Sequence, residues 1–406
     1  ASCLVGSEMC IRDRISATPC AWLLGWSWQR RPWRCPSPTS FLRRGAMPKK
    51  VSVYLSVRLR SSPMQSAYTV STGDRVHVPP GYQWWLRMHG ERFIDVTAHP
   101  DLDVASGFAV KNATYPANPR RRDELAAAFE LVSDQNPRKD LAQFTSFYTR
   151  YYWSPTGVAS QEWLLHRVKH VAAAMTAPTS VTTFKHDWPQ STIILHITGR
   201  NATLTAERGV TIVGAHQDST NLFPLMRAPG ADDDGSGTVT LLETLRVLGE
   251  TRWTPESDVE FHWYSAEEGG LLGSQDVVAA YKASSTHVYA MLQQDMTAYV
   301  RKKSSESVGI VTDFVSPALT DFVELLVQTY LSIPPKRTLT SYGASDHAAW
   351  HRAGYPSAFA IEAPFEECNL RKIHTTSDTA DADGFSFSHL LEFVRLTLAF
   401  VVELSG

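Results

Sequence analysis

Histidine and carboxylate residues recur in this chain at the ends of short apolar runs. His216 closes "VTIVGAH", with Gln217 and Asp218 next. Glu267 and Glu268 follow "VEFHWYSA", Asp295 follows "AMLQQ", and His374 lies in "KIHTTSDT", beyond the run around Phe359. A fifth stretch, "APGADDDGSG", carries Asp232, Asp233 and Asp234 in a row. Nitrogen and carboxylate donors without a thiol are the mixture of a catalytic zinc site, or one for cobalt or manganese. They are not the all-oxygen shell of calcium or magnesium. Adjacent glutamates suit two jobs in such a site: one ligates metal while the other takes a proton from water. Each residue alone has an ordinary explanation, since an isolated histidine is usually a hydrogen-bonded structural residue and a glutamate pair a solvated loop. The joint pattern, repeated at run after run, is what points to a site.

The triple aspartate has a second reading. Counting from Asp232, the spacing of Asp234, Ser236, Gly237 and Glu243 matches the EF-hand calcium loop. That loop needs a helix entering its first position. Pro224 and Pro229 stand just ahead of it, followed by Gly230, and proline there opposes a continuous helix. No second such loop is present to pair with it. The context favours a catalytic metal site in which one of the three aspartates is a ligand.

The elements that must position these residues alternate in type. Helical periodicity begins at Asp123 with "RDELAAAFELVSDQN", continues through "RKDLAQFTSFYTRYYW", and resumes in "SPTGVASQEWLLHRVKHVAAAM", with Ser160 expected as its N-cap. Strands are expected at "STIILHITG", "GVTIVGAH", "DVEFHWYSAEE", "VYAMLQQDM" and "YPSAFAIE". The continuous apolar run of "GVTIVGAH" fits a buried central strand. Helices fall at "SGTVTLLETLRVLG", which should stop at Gly249, and at "GLLGSQDVVAAYKA", "SPALTDFVELLVQTYLS" and "SFSHLLEFVRLTLAFVVEL". This is an α/β alternation with a mostly parallel sheet. In open sheets of that kind ligands bind beyond the carboxyl ends of the strands, where the candidate donors lie.

Composition sets bounds. The 406 residues are 43% hydrophobic and 20% charged, with a net charge of −2. That balance argues against a nucleic-acid partner or a polybasic membrane surface. No uninterrupted apolar run reaches the ~18 residues of a membrane span. Cys3, Cys10, Cys20 and Cys35 crowd the N-terminus and only Cys368 lies in the body, so no internal disulfide framework is expected there. Residues 1–46 look foreign to the rest and are set aside as a leader, and 47–65 are unassigned. Residues 66–119 read as short strands and turns ending in Arg120-Arg121-Arg122, either an N-terminal subdomain or a removable prosegment. Residues 120–406 form the main domain. The sequons at Asn112 and Asn201 lean towards secretion.

The motifs quoted above, with "YGASDHAAW" around Tyr342, resemble in order and spacing the M28 family of two-zinc aminopeptidases, over about Asp123 to the C-terminus. The likeness is greatest to secreted fungal leucine aminopeptidases and bacterial leucyl aminopeptidases. "GERFIDVTAH" is similar to the prosegment of the fungal enzymes. The resemblance implies a three-layer α/β/α fold of the zinc exopeptidase (phosphorylase/hydrolase-like) type. It implies His216 and Glu268 on one zinc, Asp295 and His374 on the other, and Asp233 bridging both. Glu267 would be the general base, Tyr342 would hold the carbonyl oxygen in the transition state, and Asp218 would fix the tautomer of His216. Met296, Phe359, Ile361, Phe365 and Ile373 would line the pocket for the first residue of the substrate, although each reads equally well as core. The implied protein is a monomeric, secreted or vacuolar enzyme acting on peptides with a free N-terminus. In its relatives a cysteine pair flanks the tyrosine loop; here those positions are Thr340 and Ala344, so that loop should be more mobile. A single-zinc glutaminyl cyclase would not need the whole ligand set. A carboxypeptidase would need arginines near the site, and a non-catalytic binding protein on the same fold should have lost ligands.

Overall fold

The structure is a computed structural model. It describes residues 66–70, 75–78, 93–102, 113–223, 225–301 and 306–406, all within one compact unit, Ser61–Gly406. The leader, residues 47–65, and most of 66–119 lie outside the described residues.

An eight-stranded sheet organises the molecule. Its strands are β4 (Thr179–Phe184), β5 (Thr192–Ile197), β6 (Val210–His216), β7 (Val259–Tyr264), β8 (Val288–Gln294), β9 (Val308–Val311), β10 (Pro335–Thr338) and β11 (Ser357–Ile361), in the order β10-β9-β11-β8-β6-β7-β5-β4. The core run β11-β8-β6-β7 is parallel, while β9 pairs antiparallel with β11 and β5 antiparallel with β7. The sheet is therefore mixed, as expected. Strand β6 lies at its centre and is buried along its whole length, in agreement with its unbroken apolar run. Strands β4, β9 and β10 went unseen in the sequence. They are short, and the polar sequences of β4 and β10 carry no strand-like apolar alternation.

Successive residues of each buried strand face opposite layers, as the pleat requires. Val213, Phe261, Trp263 and Leu292 pack into one core with α1 (Arg122–Phe129), α2 (Gln135–Phe144), α3 (Pro155–Ala172), α5 (Gly237–Glu250), α7 (Pro317–Tyr330) and α9 (Phe387–Ser405). Ile212, Tyr264 and Met291 face the other way, towards α6 (Leu272–Ala283) and α8 (His347–Arg352). A short helix, α4 (Ala202–Arg208), is capped by Asn201. The result is the expected three-layer α/β/α sandwich.

Three helix limits differ from expectation, the first being α1, which ends at Phe129 short of "ELVSDQN". Helix α2 ends at Phe144 rather than running on through "SFYTRYYW". Helix α3 starts at Pro155 with Ser154, not Ser160, as N-cap: Ser154 Oγ accepts the Gly157 amide at 2.9 Å. Proline at the first helical position has no amide to leave unpaired, which favours this start. Ser160 is buried inside the helix and donates to the Gly157 carbonyl.

Strands β1 (Ser66–Val70), β2 (Arg75–Val78) and β3 (Phe93–Asp95) form a separate antiparallel sheet in the order β2-β1-β3. The stretch from Phe93 to Leu102 is built into the body. Asp95 N donates to the Gly270 carbonyl, Gln275 Nε2 to the Asp95 carbonyl at 2.8 Å and Lys282 Nζ to the Leu102 carbonyl at 2.7 Å. Ile94, Val96 and Leu102 are buried.

Candidate metal centre and active site

Each candidate donor leaves the sheet at a carboxyl end. His216 ends β6, and Glu267 and Glu268 open the turn after β7. Asp295 follows β8 directly, and His374 lies in the connection after β11. The aspartate turn, Ala231–Ser236, precedes α5 and is fully buried. Gly230 takes a positive φ of 54° there, and a Cβ at that position would come within 2.5 Å of the Asp233 carbonyl oxygen. Several non-glycine residues also adopt positive φ at the site: Ala266 at 57°, Met296 at 58°, Ser341 at 66° and His374 at 56°. Such conformations are disfavoured and gather where side chains must be aimed.

These ends converge. His216 Nε2 lies 3.0 Å from Asp233 Oδ1 and 3.6 Å from Asp295 Oδ1. His374 Nε2 lies 3.0 Å from both Asp233 Oδ2 and Glu268 Oε2. Two three-residue clusters result, His216–Asp233–Asp295 and Asp233–Glu268–His374, each with its donor atoms within 4.8 Å of one another. Asp233 belongs to both, one oxygen to each. This grouping differs from the pairing the resemblance implied, of His216 with Glu268 and of Asp295 with His374. Strand order alone does not choose, since β6 is flanked by β8, which leads to Asp295, and by β7, which leads to Glu268. The turns beyond the strands place Asp295 Oδ1 at His216 and Glu268 Oε2 at His374. The donors fit metal ions well. Each cluster offers one imidazole nitrogen and two carboxylate oxygens, and Asp295 Oδ1 is buried with no hydrogen-bond donor to it.

The electrostatics favour cationic charge. Burial pulls His216 towards neutrality, but Asp295, Glu267, Asp218 and Asp233 outweigh it and hold its pKa well above the ordinary histidine value. His374, likewise opposed by burial, is raised to about 10 by Glu268 and Asp233. Burial would raise Asp233, yet the two histidines hold it far below the carboxylate range. Glu267 is pushed well above its usual value, by burial first and then by Asp295, Glu268 and Asp346 against the opposing pull of His216.

The flanking aspartates are fully buried and do structural work. Asp234 accepts the amides of His216 at 3.0 Å, Gly237 at 2.8 Å and Met296 at 3.2 Å. Asp232 accepts from Ala298 N and Asn369 Nδ2. Glu243, the last position of the calcium-loop match, is instead held by Arg246 and the Ser133 amide. Asp218 accepts the amides of Glu267 and Glu268 at 3.1 and 3.2 Å, and His216 Nδ1 lies 3.2 Å from its carbonyl oxygen and 3.5 Å from its Oδ1.

Above the donors lies a cavity of about 360 Å³. Met296, Phe359, Ile361, Phe365 and Ile373 all line it, as do Glu267 and Tyr342. The tyrosine loop, lacking cysteines, is tied by other means. The Asp313 carboxylate accepts Thr340 N at 3.0 Å and Ser341 N at 2.7 Å, and Thr340 Oγ1 donates to the Tyr342 carbonyl at 2.6 Å.

Four contributors were not anticipated from sequence. Phe93 and Leu222 line the cavity. Asp378 takes the amides of Asp232 and Asp233, and burial followed by repulsion from those aspartates raises its pKa to about 8. Arg150, fully buried, donates to the carbonyls of Gln217, Pro229 and Gly230 and covers the Phe144 ring at 4.2 Å. Asp378 could have been noticed inside "HTTSDT". Nothing in "YTRYYW" marks Arg150, because its partners are distant backbone carbonyls.

A three-layer sheet carrying paired histidine–carboxylate clusters beneath an apolar cavity defines a hydrolase of the metal-dependent exopeptidase class. The chain belongs to peptidase family M28, whose sequence profile matches residues 192–401. It is 46% identical over 341 residues to leucine aminopeptidase 1 of Coccidioides posadasii (strain RMSCC 757 / Silveira), covering 80% of this chain and 84% of that protein. It is 44% identical over 349 residues to leucine aminopeptidase 1 of Neurospora crassa, covering 83% and 84% respectively. In structure it is similar to the LapA aminopeptidase of Legionella pneumophila, with a TM-score of 0.73 at 26% identity over 85% of this chain and 99% of that one.

Proposed function

We propose that this protein is a secreted aminopeptidase that removes apolar first residues, leucine foremost, from peptides with a free N-terminus, using two zinc ions. The observation that carries the reading is the pair of donor clusters sharing Asp233 at the base of an apolar-walled cavity. His216 and Asp295 would hold one ion, Glu268 and His374 the other, and Asp233 both; cobalt or manganese suits the same donors. Zinc bound there supplies Lewis-acid polarisation of the scissile carbonyl and acidifies a water.

The protein's own residues do the rest. Glu267 accepts the proton of the attacking water and returns it to the leaving amine. Tyr342 donates a hydrogen bond to the developing oxyanion. The substrate's α-amine meets the carboxylates of the cavity floor, which restricts cleavage to the chain end. Met296, Phe359, Ile361, Phe365 and Ile373 receive the first side chain. One methylene in such a pocket is worth only ~1–3 kcal/mol, so the preference is broad among apolar residues.

The test is hydrolysis of leucine p-nitroanilide by zinc-loaded protein, with Glu267→Ala alongside. The expected result is turnover by the native chain. The variant should retain both metals by elemental analysis and lose about 10²–10⁴-fold in kcat. A native chain that does not turn over the anilide would falsify the activity. Loss of metal from the variant would exchange the roles of Glu267 and Glu268.

A further inference from the structure

We infer that the loop following His216 builds a second, apolar subsite, which receives the side chains of the second and third residues of a peptide substrate. Large apolar side chains left exposed among the described residues are few: Leu131, Tyr148, Trp153, Phe223, Leu225, Met226, Leu339 and Leu370. Phe223, Leu225 and Met226 sit on the loop after His216, Tyr148 is bonded to it, and Leu370 lines the catalytic cavity. Leu222 and Leu370 line the mouth of the catalytic cavity. The Leu222 amide donates to the His374 carbonyl at 2.9 Å, so this loop is stitched to the backbone of a donor residue. Phe223, Leu225 and Met226 follow directly, Leu225 with 89% of its surface exposed. Tyr148 joins them, its hydroxyl donating to the Leu225 carbonyl at 3.0 Å.

The loop is held in shape by polar ties. Asn221 Nδ2 donates to the Arg227 carbonyl at 2.8 Å, Asn221 Oδ1 accepts the Phe223 amide at 2.9 Å, and Met226 N donates to the Phe223 carbonyl at 2.8 Å. The polar groups of the loop are thus spent on one another and on the body, while its apolar side chains are left outward. Exposed apolar side chains gathered on one loop beside a cavity point to a binding site. Its occupant follows from continuity with the cavity. If the first side chain is buried against Met296 and Phe359 and the scissile carbonyl lies near Glu267 and Tyr342, the remaining chain must leave through the mouth that Leu222 and Leu370 border. Methionine and leucine side chains adapt to differently shaped partners, which suits a subsite for varied apolar residues.

This inference rests on the aminopeptidase reading above, and the experiment separates the two. The triple substitution Phe223→Ser, Leu225→Ser, Met226→Ser changes only exposed side chains. Native and variant proteins are assayed on leucine p-nitroanilide, Leu-Gly-Gly-Gly and Leu-Phe-Leu-Gly. Native protein should prefer Leu-Phe-Leu-Gly to Leu-Gly-Gly-Gly by about tenfold in kcat/KM, the discrimination a modest apolar contact provides. The variant should lose that preference and keep its rate on the anilide. An equal peptide ratio in the two proteins overturns the subsite. So does a variant that leaves the ratio unchanged but alters the oligomeric state on a sizing column, which would make the rim an interface between copies. If neither protein cleaves the anilide, the activity reading fails. Equilibrium binding of the two peptides then judges the subsite, and equal affinities overturn it.

Discussion

Three consecutive aspartates of identical chemistry have three different surroundings here. Asp233 faces both histidines, one oxygen to each. Asp234 faces only backbone amides, those of His216, Gly237 and Met296. Asp232 faces Asn369 and the Ala298 amide, and forms a side-chain hydrogen bond with Glu362. Reading the turn as ligand plus supports suggests that Asp232→Asn and Asp234→Asn need not abolish catalysis. The geometry divides these two. An asparagine at 234 would turn an NH₂ group towards amide donors, at a cost of about 1–3 kcal/mol for the unmade bonds. An asparagine at 232 could still donate to Glu362. The expected outcome is loss of nearly all turnover for Asp233→Asn with the fold retained. Asp234→Asn should show a lowered thermal midpoint, and Asp232→Asn the mildest effect on both. Circular dichroism melts and anilide turnover on the three variants measure this. A 234 variant that melts like the native protein would show that its amide contacts carry little weight.

At the scale of elements, the site depends on how strand ends are tied to the turns beside them. Arg150, in the segment between α2 and α3, is the main tie. It joins the loop after β6 at Gln217 to the approach to the aspartate turn at Pro229 and Gly230. Burial lowers its pKa to about 10, against the pull of Asp378, Asp218, Asp234 and Asp233, so the guanidinium remains charged at neutral pH. Replacing it with methionine keeps much of the bulk over Phe144 but takes the side-chain donor from the carbonyls of Gln217 and Pro229, while that of Gly230 keeps the Gly235 amide. Arg150→Met should therefore cost about 2–5 kcal/mol, since each buried carbonyl left without its donor costs about 1–3 kcal/mol. Because it links two donor-bearing segments, zinc affinity should fall as well. Urea unfolding and a zinc titration together test this, and a stable variant with native affinity would remove Arg150 from the account. Asp313 holds the Tyr342 loop in the same manner, through two amides.

For the molecule as a whole, the buried acids beneath the cavity oppose folding unless their charge is met. Burial raises the pKa of Asp346 to about 7 and that of Asp378 to about 8, and lifts Glu362 and Asp234 well above normal. A cation binding only the folded state adds stability as the logarithm of its excess over Kd, about 4 kcal/mol at a thousandfold excess. A chelator should therefore lower the thermal midpoint by several degrees and added zinc should restore it, with protons released on binding. An unchanged midpoint would argue that the clusters bind metal weakly. The second prediction at this scale concerns the strap from Phe93 to Leu102. It places Phe93 at the cavity and packs Ile94 against Leu271, Ala348 and Phe314. Trimming the chain to Arg122 should raise activity on peptides as Phe93 leaves, and should lower stability as Leu271 and its neighbours are uncovered. Equal activity before and after trimming would end the idea that residues 66–119 restrain the enzyme.

The sequence alone determined the α/β alternation and the central strand, and it marked His216, Glu267, Glu268, Asp295, His374 and the aspartate turn as candidates, because these depend on local signals. The choice of Asp233 within the turn came from the family resemblance. An unbroken apolar run demands a buried strand, and histidines and carboxylates recurring at the ends of several such runs point to chemistry where one alone would not. Tertiary structure decided what no local signal carries. Which donors share a cluster is decided by how the turns beyond the strands fold back, because β6 is flanked by both the Asp295 strand and the Glu268 strand. The tie made by Arg150 and the cradle made by Asp378 reach the aspartate turn from about 80 and 145 residues away, and each bonds backbone groups that every residue possesses. A hydrogen bond to a backbone amide or carbonyl imposes no residue type on its partner, so it leaves no trace in a single sequence, whereas burial and metal ligation do.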